Sequence, residues 1–251
     1  MARIILEEVD VPFQALPEPI LGLKILLISD VHAGFWFRRK IRTAVQLIKE
    51  SAPDLIVCTG DTVTCPGSWP IAVKWLSALP TDVPRYAVPG NWDYAKGGSG
   101  ALFEEQIRNA GLIPLRNESA ILKREDVSLC IAGLDDIHLG AFDPDSAFAG
   151  GKADFTLALS HNPDTILHID ETRFDLMLSG HTHGGQICFP GNGAIFTRTH
   201  IGTRYASGLF ELTRGRYLYV SRGLGEGAVP WRAFCPAELT LLTLRNLSAQ
   251  N

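Results

Sequence analysis

The stretch KILLISDVHAGFWFRRKIRTAVQLIKESAPDLIVCTGD, residues 24–61, begins and ends with the same kind of segment. ILLI at 25–28 and LIVC at 55–58 are continuous apolar runs, as in buried strands, and each stops at a short polar cluster. Between them Ile41, Val45 and Ile48 recur at helical spacing, while Arg42, Gln46 and Lys49 fall on the opposite face. Strand, amphipathic helix and strand in succession predict an α/β layer.

The pattern continues outward. PRYAVPGN (84–91), FTLALSH (155–161), FDLMLSGH (174–181) and RYLYVSRG (216–223) are further apolar runs ending in polar groups. Ser68, with Pro70 in the first turn, predicts a helix that presents Ala72, Trp75, Leu76 and Leu79 on one face. Ser99 predicts the start of another over ALFEEQIRNAG, stopped at Gly111. Residues 112–133 show short apolar segments broken by turn formers and predict two or three strands in hairpins, and AELTLLTL (237–244) predicts a closing strand. With no repeat, low-complexity tract or linker, the expectation is one domain over residues 1–251, a mixed sandwich of two sheets flanked by helices.

The 251 residues are 46% hydrophobic and 20% charged, enough for a substantial core, and the formal net charge of -4 gives no broad attraction for duplex nucleic acid. Cys58, Cys65, Cys130, Cys188 and Cys235 are odd in number and widely spaced, which reads as reduced thiols and a cytoplasmic setting. The opening run MARIILEEVDVPF is interrupted by Glu7, Glu8 and Asp10, so neither a signal-peptide core nor a membrane span is expected there.

The strand ends share a property. They carry Asp30 and His32, Asp61, Asn91, His161, then His181 and His183. Any one of these motifs fits an ordinary turn or a structural histidine. Carboxylate, amide and imidazole placed at the end of strand after strand instead form a donor set for divalent Mn, Fe, Co or Zn, gathered at the carboxyl edge of a sheet.

The ordered set D-x-H, G-D, G-N-x-D, H and G-H-x-H resembles the calcineurin-like metallophosphoesterase superfamily, from Lys24 to about Trp231. HTHGGQICFPG and YVSRGLGEGAVPWR look like its bacterial YkuE- and YaeI-type branch. The resemblance implies a four-layer αββα sandwich and a two-metal centre. Asp30, His32 and His183 would hold one ion, Asn91, His161 and His181 the other, and Asp61 would bridge them. Two cations roughly 3.5–4 Å apart suit hydrolysis of a phosphodiester or pyrophosphate by a hydroxide held between them. Asn91 would also donate to the substrate phosphate. Some superfamily members act on a lipid-linked nucleotide diphosphate, UDP-diacylglucosamine. The rival expectation is a non-catalytic scaffold on the same fold, like the retromer subunit that resembles phosphoesterases.

Several residues keep two readings. Arg222 suits either a bidentate phosphate clamp or a surface salt bridge, and Asp135 and Asp136 either support the site or make a turn. His138, His168 and His200 match no motif. The superfamily commonly has histidine after the Asn of the G-N motif, whereas this chain has Trp92, whose indole cannot serve as a general acid. Phe35, Trp36 and Phe37, with Arg38, Arg39 and Lys40 following, point either to a peripheral contact at the inner face of a membrane or to a loop anchor. Trp69 reads as an anchor.

Overall fold

The computed structural model describes residues 4–34, 41–190, 193–213, 215–227 and 231–247. The Phe35–Lys40 loop lies outside the described residues. In chain order the strands are β1 (Ile4–Phe13), β2 (Lys24–Ile28), β3 (Leu55–Thr59), β4 (Arg85–Val88), β5 (Ile113–Pro114), β6 (Glu118–Arg124), β7 (Val127–Gly133), β8 (Phe155–Leu159), β9 (Leu176–Ser179), β10 (Cys188–Phe189), β11 (Gly193–Ala194), β12 (Gly208–Glu211), β13 (Tyr217–Val220) and β14 (Ala237–Asn246). The α-helices are α1 (Ile41–Ser51), α2 (Trp69–Leu76), α3 (Asn91–Tyr94), α4 (Gly100–Asn109) and α5 (Pro144–Ala147).

Two six-stranded mixed sheets result, one ordered β1-β14-β2-β3-β4-β5 and the other β12-β13-β9-β8-β7-β6. Strict alternation inside continuous apolar strands explains why they stack. Ile25 and Leu27 of β2 and Leu55 and Val57 of β3 share a cluster with Leu157 and Leu159 of β8 and Leu176 and Leu178 of β9. This is the layer between the sheets. The intervening residues Leu26, Ile28, Ile56 and Cys58 pack outward against Ala44 and Ile48 of α1, Ala72 and Trp75 of α2, and Phe103 and Ile107 of α4. On the far side Ala158, Met177, Leu218 and Val220 meet Ala147 of α5, Phe174 and Tyr205. Each fully buried aliphatic side chain contributes roughly 1.5–3 kcal/mol, so the strand ends project from a stiff base.

Ser99 caps α4 as expected, its hydroxyl accepting from the Leu102 amide at 3.1 Å. Ser68 does not cap α2, because a short 3-10 turn, Pro66–Ser68, leads into that helix and its side chain faces Thr64 instead. Within 112–133, β6 and β7 form the expected antiparallel hairpin, but β5 leaves it and extends the first sheet beside β4. Strand β1 is not evident from the sequence: it lies at the sheet edge, parallel to β14, where acidic residues are tolerated among the apolar ones.

Candidate metal centre

The parallel run β2-β3-β4 and the parallel run β7-β8-β9-β13 place their carboxyl ends at one edge of the sandwich. Asp30 and His32 follow β2, Asp61 follows β3, Asn91 opens α3 after β4, His161 follows β8, and His181 and His183 follow β9. Five of these seven adopt left-handed backbone angles: Asp30 (φ 49°), His32 (45°), Asp61 (51°), His181 (68°) and His183 (52°). That conformation disfavours residues with a Cβ. It persists where surrounding structure over-determines it, typically at functional sites. Here it turns each side chain back over the sheet edge.

The side chains meet in two groups, Asp61-His161-His181 and Asp30-His32-His183, each with ligand atoms within 4.8 Å of one another. In the first, His161 Nδ1 faces the Thr59 carbonyl at 2.8 Å and His181 Nε2 faces the Arg198 carbonyl at 3.3 Å. Carbonyls only accept, so those nitrogens carry the protons. The opposite nitrogens, His161 Nε2 and His181 Nδ1, face each other 3.0 Å apart. Asn91 Oδ1 lies 3.1 Å from one and 3.0 Å from the other, and Asp61 Oδ1 lies 3.4 Å from His161 Nε2. Four donor atoms converge there, a set that suits a cation; without one, His161 Nε2 takes a proton beside the Asp61 carboxylate.

In the second group His32 Nε2 and His183 Nε2 are 3.1 Å apart, and Asp30 Oδ1 is 3.4 Å from His183 Nε2. Asp61 reaches this group too, with Oδ2 3.5 Å from His32 Nε2. One carboxylate thus offers a separate oxygen to each cluster. Burial opposes charging His161, yet the Asp61 carboxylate beside it pushes its pKa up to about 10, so without a cation the ring holds a second proton that a bound ion would displace. Burial opposes ionising Asp61 as well, but His161 more than offsets it and holds the carboxyl below its ordinary range. Burial lowers His183 to about 3 and also lowers His32 and His181, so these three are neutral and suited to ligation.

Neighbouring groups fix the donors. Asp93, buried behind Asn91, takes the amides of Thr62 (3.0 Å), Val63 (3.3 Å) and Gly90 (2.9 Å) on its two oxygens, tying the β3 loop to the β4 loop. Burial, with the nearby Asp61 charge, pushes its pKa up to about 7, against the pull of those amides. A side chain at Gly90 would run into the Asp61 amide and carboxylate and the His161 ring, so only glycine fits. Arg232, on the loop before β14, donates to the carbonyls of Arg222 (2.7 Å), Gly223 (3.1 Å) and His183 (3.3 Å), with Nη2 3.2 Å from His183 Nδ1. The sequence gives little sign of Asp93 as a loop clamp or of Arg232, because both act through backbone groups brought together only by folding.

The remaining candidates separate. The Arg222 guanidinium is bound by Glu7, at 2.6 Å, and by Glu238, so its fork is taken up by carboxylates of β1 and β14. That pairing fits the salt-bridge reading of Arg222 rather than a free phosphate clamp. Asp135 accepts from the Tyr94 hydroxyl at 2.5 Å and from Ala141 N at 2.8 Å, while Asp136 accepts from His138 N and Leu139 N. They build a turn that also anchors the end of α3. His138 meets the Asn162 amide at 3.0 Å and lies 6.2 Å from the His200 ring. Trp69 is buried against Phe103 as an anchor.

Among the described residues no helix is long and apolar enough to cross a membrane. The calcineurin-like phosphoesterase family matches residues 23–185. The chain is 34% identical over 237 residues to the uncharacterized metallophosphoesterase YkuE of Bacillus subtilis, covering 92% of this chain and 82% of that protein. It is 32% identical over 225 residues to phosphodiesterase YaeI of Escherichia coli (88% and 82% covered). To the UDP-2,3-diacylglucosamine pyrophosphatase LpxG of Chlamydia trachomatis it is 29% identical over 283 aligned positions (88% and 83% covered). A metal-ready edge of this geometry, and a match over most of the chain, have one explanation: the chain belongs to the calcineurin-like phosphoesterase family and is a phosphoric ester hydrolase.

Proposed function

We propose that the protein hydrolyses a phosphodiester or pyrophosphate bond at a two-cation centre. Asp30, His32 and His183 hold one divalent ion, Asn91, His161 and His181 hold the other, and Asp61 serves both through its two oxygens. The observation that carries this reading is the approach of His161 Nε2 and His181 Nδ1 to 3.0 Å beside Asn91 Oδ1 and Asp61, with the opposite ring nitrogens committed to carbonyls. When bound, the two cations neutralise phosphoryl charge and lower the pKa of water, making hydroxide available near neutral pH.

The chain's own part is orientation. The Thr59 and Arg198 carbonyls fix the two ring tautomers. With Oδ1 turned to the imidazoles, Asn91 has its Nδ2 hydrogens for a substrate phosphoryl oxygen, where negative charge builds during in-line attack. Trp92 brings no ionisable proton, so the leaving oxygen departs with its own charge stabilisation or takes a proton from water.

A lipid-linked nucleotide diphosphate is the substrate class that the Chlamydia relative's activity favours. The odd number and wide spacing of the five cysteines fit a reducing, cytoplasmic setting. The scaffold reading is disfavoured because all seven donor side chains are in place at the sheet edge. The test is elemental analysis beside turnover of bis(p-nitrophenyl) phosphate. Two equivalents of Mn, Fe, Co or Zn per chain and metal-dependent turnover are expected, and only trace metal after reconstitution with each ion would overturn the proposal.

A further inference from the structure

We infer that the β10–β11 hairpin with its flanks (186–190 and 193–198) and the segment 231–235 form a seat for an anionic lipid bilayer at the rim of the metal centre. Phe189 (63% exposed), Ile195 (57%), Phe196 (67%), Trp231 (54%) and Phe234 (76%) all belong to these two segments. The other exposed large apolar residues are leucines and isoleucines at separate points of the chain, so every exposed Phe or Trp among the described residues lies here. Singly exposed leucines are ordinary, whereas a concentration of aromatics is a contact surface. Phe234 strengthens the case. It holds φ at 54°, an unfavourable conformation for an aromatic residue, while its ring gains no burial from it.

The two segments are one unit. Cys188 N donates to the Ala233 carbonyl at 3.0 Å, Ala233 N to the Gln186 carbonyl at 3.1 Å, and Gln186 Nε2 to the Trp231 carbonyl at 2.9 Å. Hairpin β10–β11 supports Phe189 opposite Gly193. The unit is also continuous with the candidate centre, since the Arg198 carbonyl accepts from the His181 ring and Gly185, two residues past His183, is packed against Ala194.

Charge selects the occupant. Residues 184–210 contain Arg198 and Arg204 and no Asp or Glu, in a chain whose formal net charge is -4, whereas Arg232 is committed to backbone carbonyls and adds no surface charge. Arg198 and Arg204 are exposed. Exposed aromatics beside two exposed arginines, in a stretch of chain without acids, suit an interface where rings enter the headgroup boundary and arginines meet anionic headgroups. The seat draws on none of residues 35–40. It also does not require the proposed phosphoesterase activity, although it would bring a lipid phosphate ester to that centre.

The test is sedimentation of the full chain with phosphatidylcholine vesicles, with and without phosphatidylglycerol. Wild type is expected to sediment with the anionic vesicles and poorly with the neutral ones. The double variant Phe196→Ser/Phe234→Ser should bind at least about tenfold more weakly, since two aromatic side chains no longer leave water. Arg204→Glu should also weaken binding, whereas Trp36→Ser/Phe37→Ser should leave a substantial part of it. Turnover of bis(p-nitrophenyl) phosphate should be unchanged in the double variant. Failure of wild type to sediment, or equal binding by wild type and the double variant, overturns the inference. So does a wild-type dimer that the double variant converts to monomer without any lipid binding, because a second copy is then the occupant. A wild type that sediments but is inactive on the diester upholds the seat and sinks only the proposed activity.

Discussion

The indole of Trp92 stands edge-on to the imidazole of His32, with ring centroids 5.5 Å apart and planes at 89°. The Trp92 amide donates to Asp61 at 2.7 Å, and the Lys96 ammonium sits 4.7 Å above the indole. Residue 92 is therefore part of the wall of the centre, filled by a ring that cannot deliver a proton. A positioned general acid contributes roughly 10²–10⁴-fold, so its absence should appear as a steep dependence of rate on leaving-group acidity. Aryl diesters and diphosphates should far outpace alkyl esters. Rates across a leaving-group series at saturating metal check this, and a flat dependence with chemistry limiting would mean that another acid acts.

Trp92→His is expected to recover only part of that factor. Both oxygens of Asp93 are occupied by the amides of Gly90, Thr62 and Val63, which leaves it badly placed to orient an imidazole at position 92. The same leaving-group series run on the variant should show a shallower slope than wild type, still short of flat.

Asp61→Asn should empty both cation positions. The carboxylate offers Oδ1 toward His161 and Oδ2 toward His32, and a neutral amide lacks the charge that two ions would share. Elemental analysis after gel filtration should read well under one ion per chain, against two for wild type. Retention of one full equivalent would show that Asp61 serves a single site.

Much of this arrangement is readable from residue order. The continuous apolar runs ending at Asp30, Asp61, Asn91, His161 and His181 mark both the strands and the edge where they terminate, because a strand buried on both faces has polar groups only at its ends. What escapes the sequence is pairing. Strand β1 looks too acidic for a strand until its place at the edge beside β14 is known, and β5 looks like part of a hairpin until it joins β4. Arg222 carries no mark of Glu7 and Glu238, which are 215 and 16 residues away in the chain.

Arg232→Ala should destabilise the fold by about 2–4 kcal/mol, since removing the guanidinium takes the donor from the Arg222 and Gly225 carbonyls, while those of Gly223 and His183 keep the amides of Glu238 and Gln186. The loop is pinned beside β2 through Leu224 N to the Ser29 carbonyl at 3.0 Å. Urea denaturation of the metal-free protein is the measurement. Arg232→Lys should recover little, because one ammonium cannot match the several directions of the fork.

The two ions should leave at different rates. Asp30, His32 and His183 are all buried, whereas in the other group His181 is part-exposed, as is Asn91. A chelator or water can approach the exposed side of His181 without opening the strand ends, while His183 is buried and held at its carbonyl and ring by Arg232. Release into excess chelator should therefore be biphasic, one equivalent per phase. His181→Ala should remove the fast phase and leave one slowly released ion, with a loss of affinity at the vacated position of at least the 10–100-fold seen when even a supporting group is removed from a metal site. A single phase releasing both equivalents together in wild type would mean that the loops open as one unit, and that His181 is no more accessible in solution than its buried neighbours.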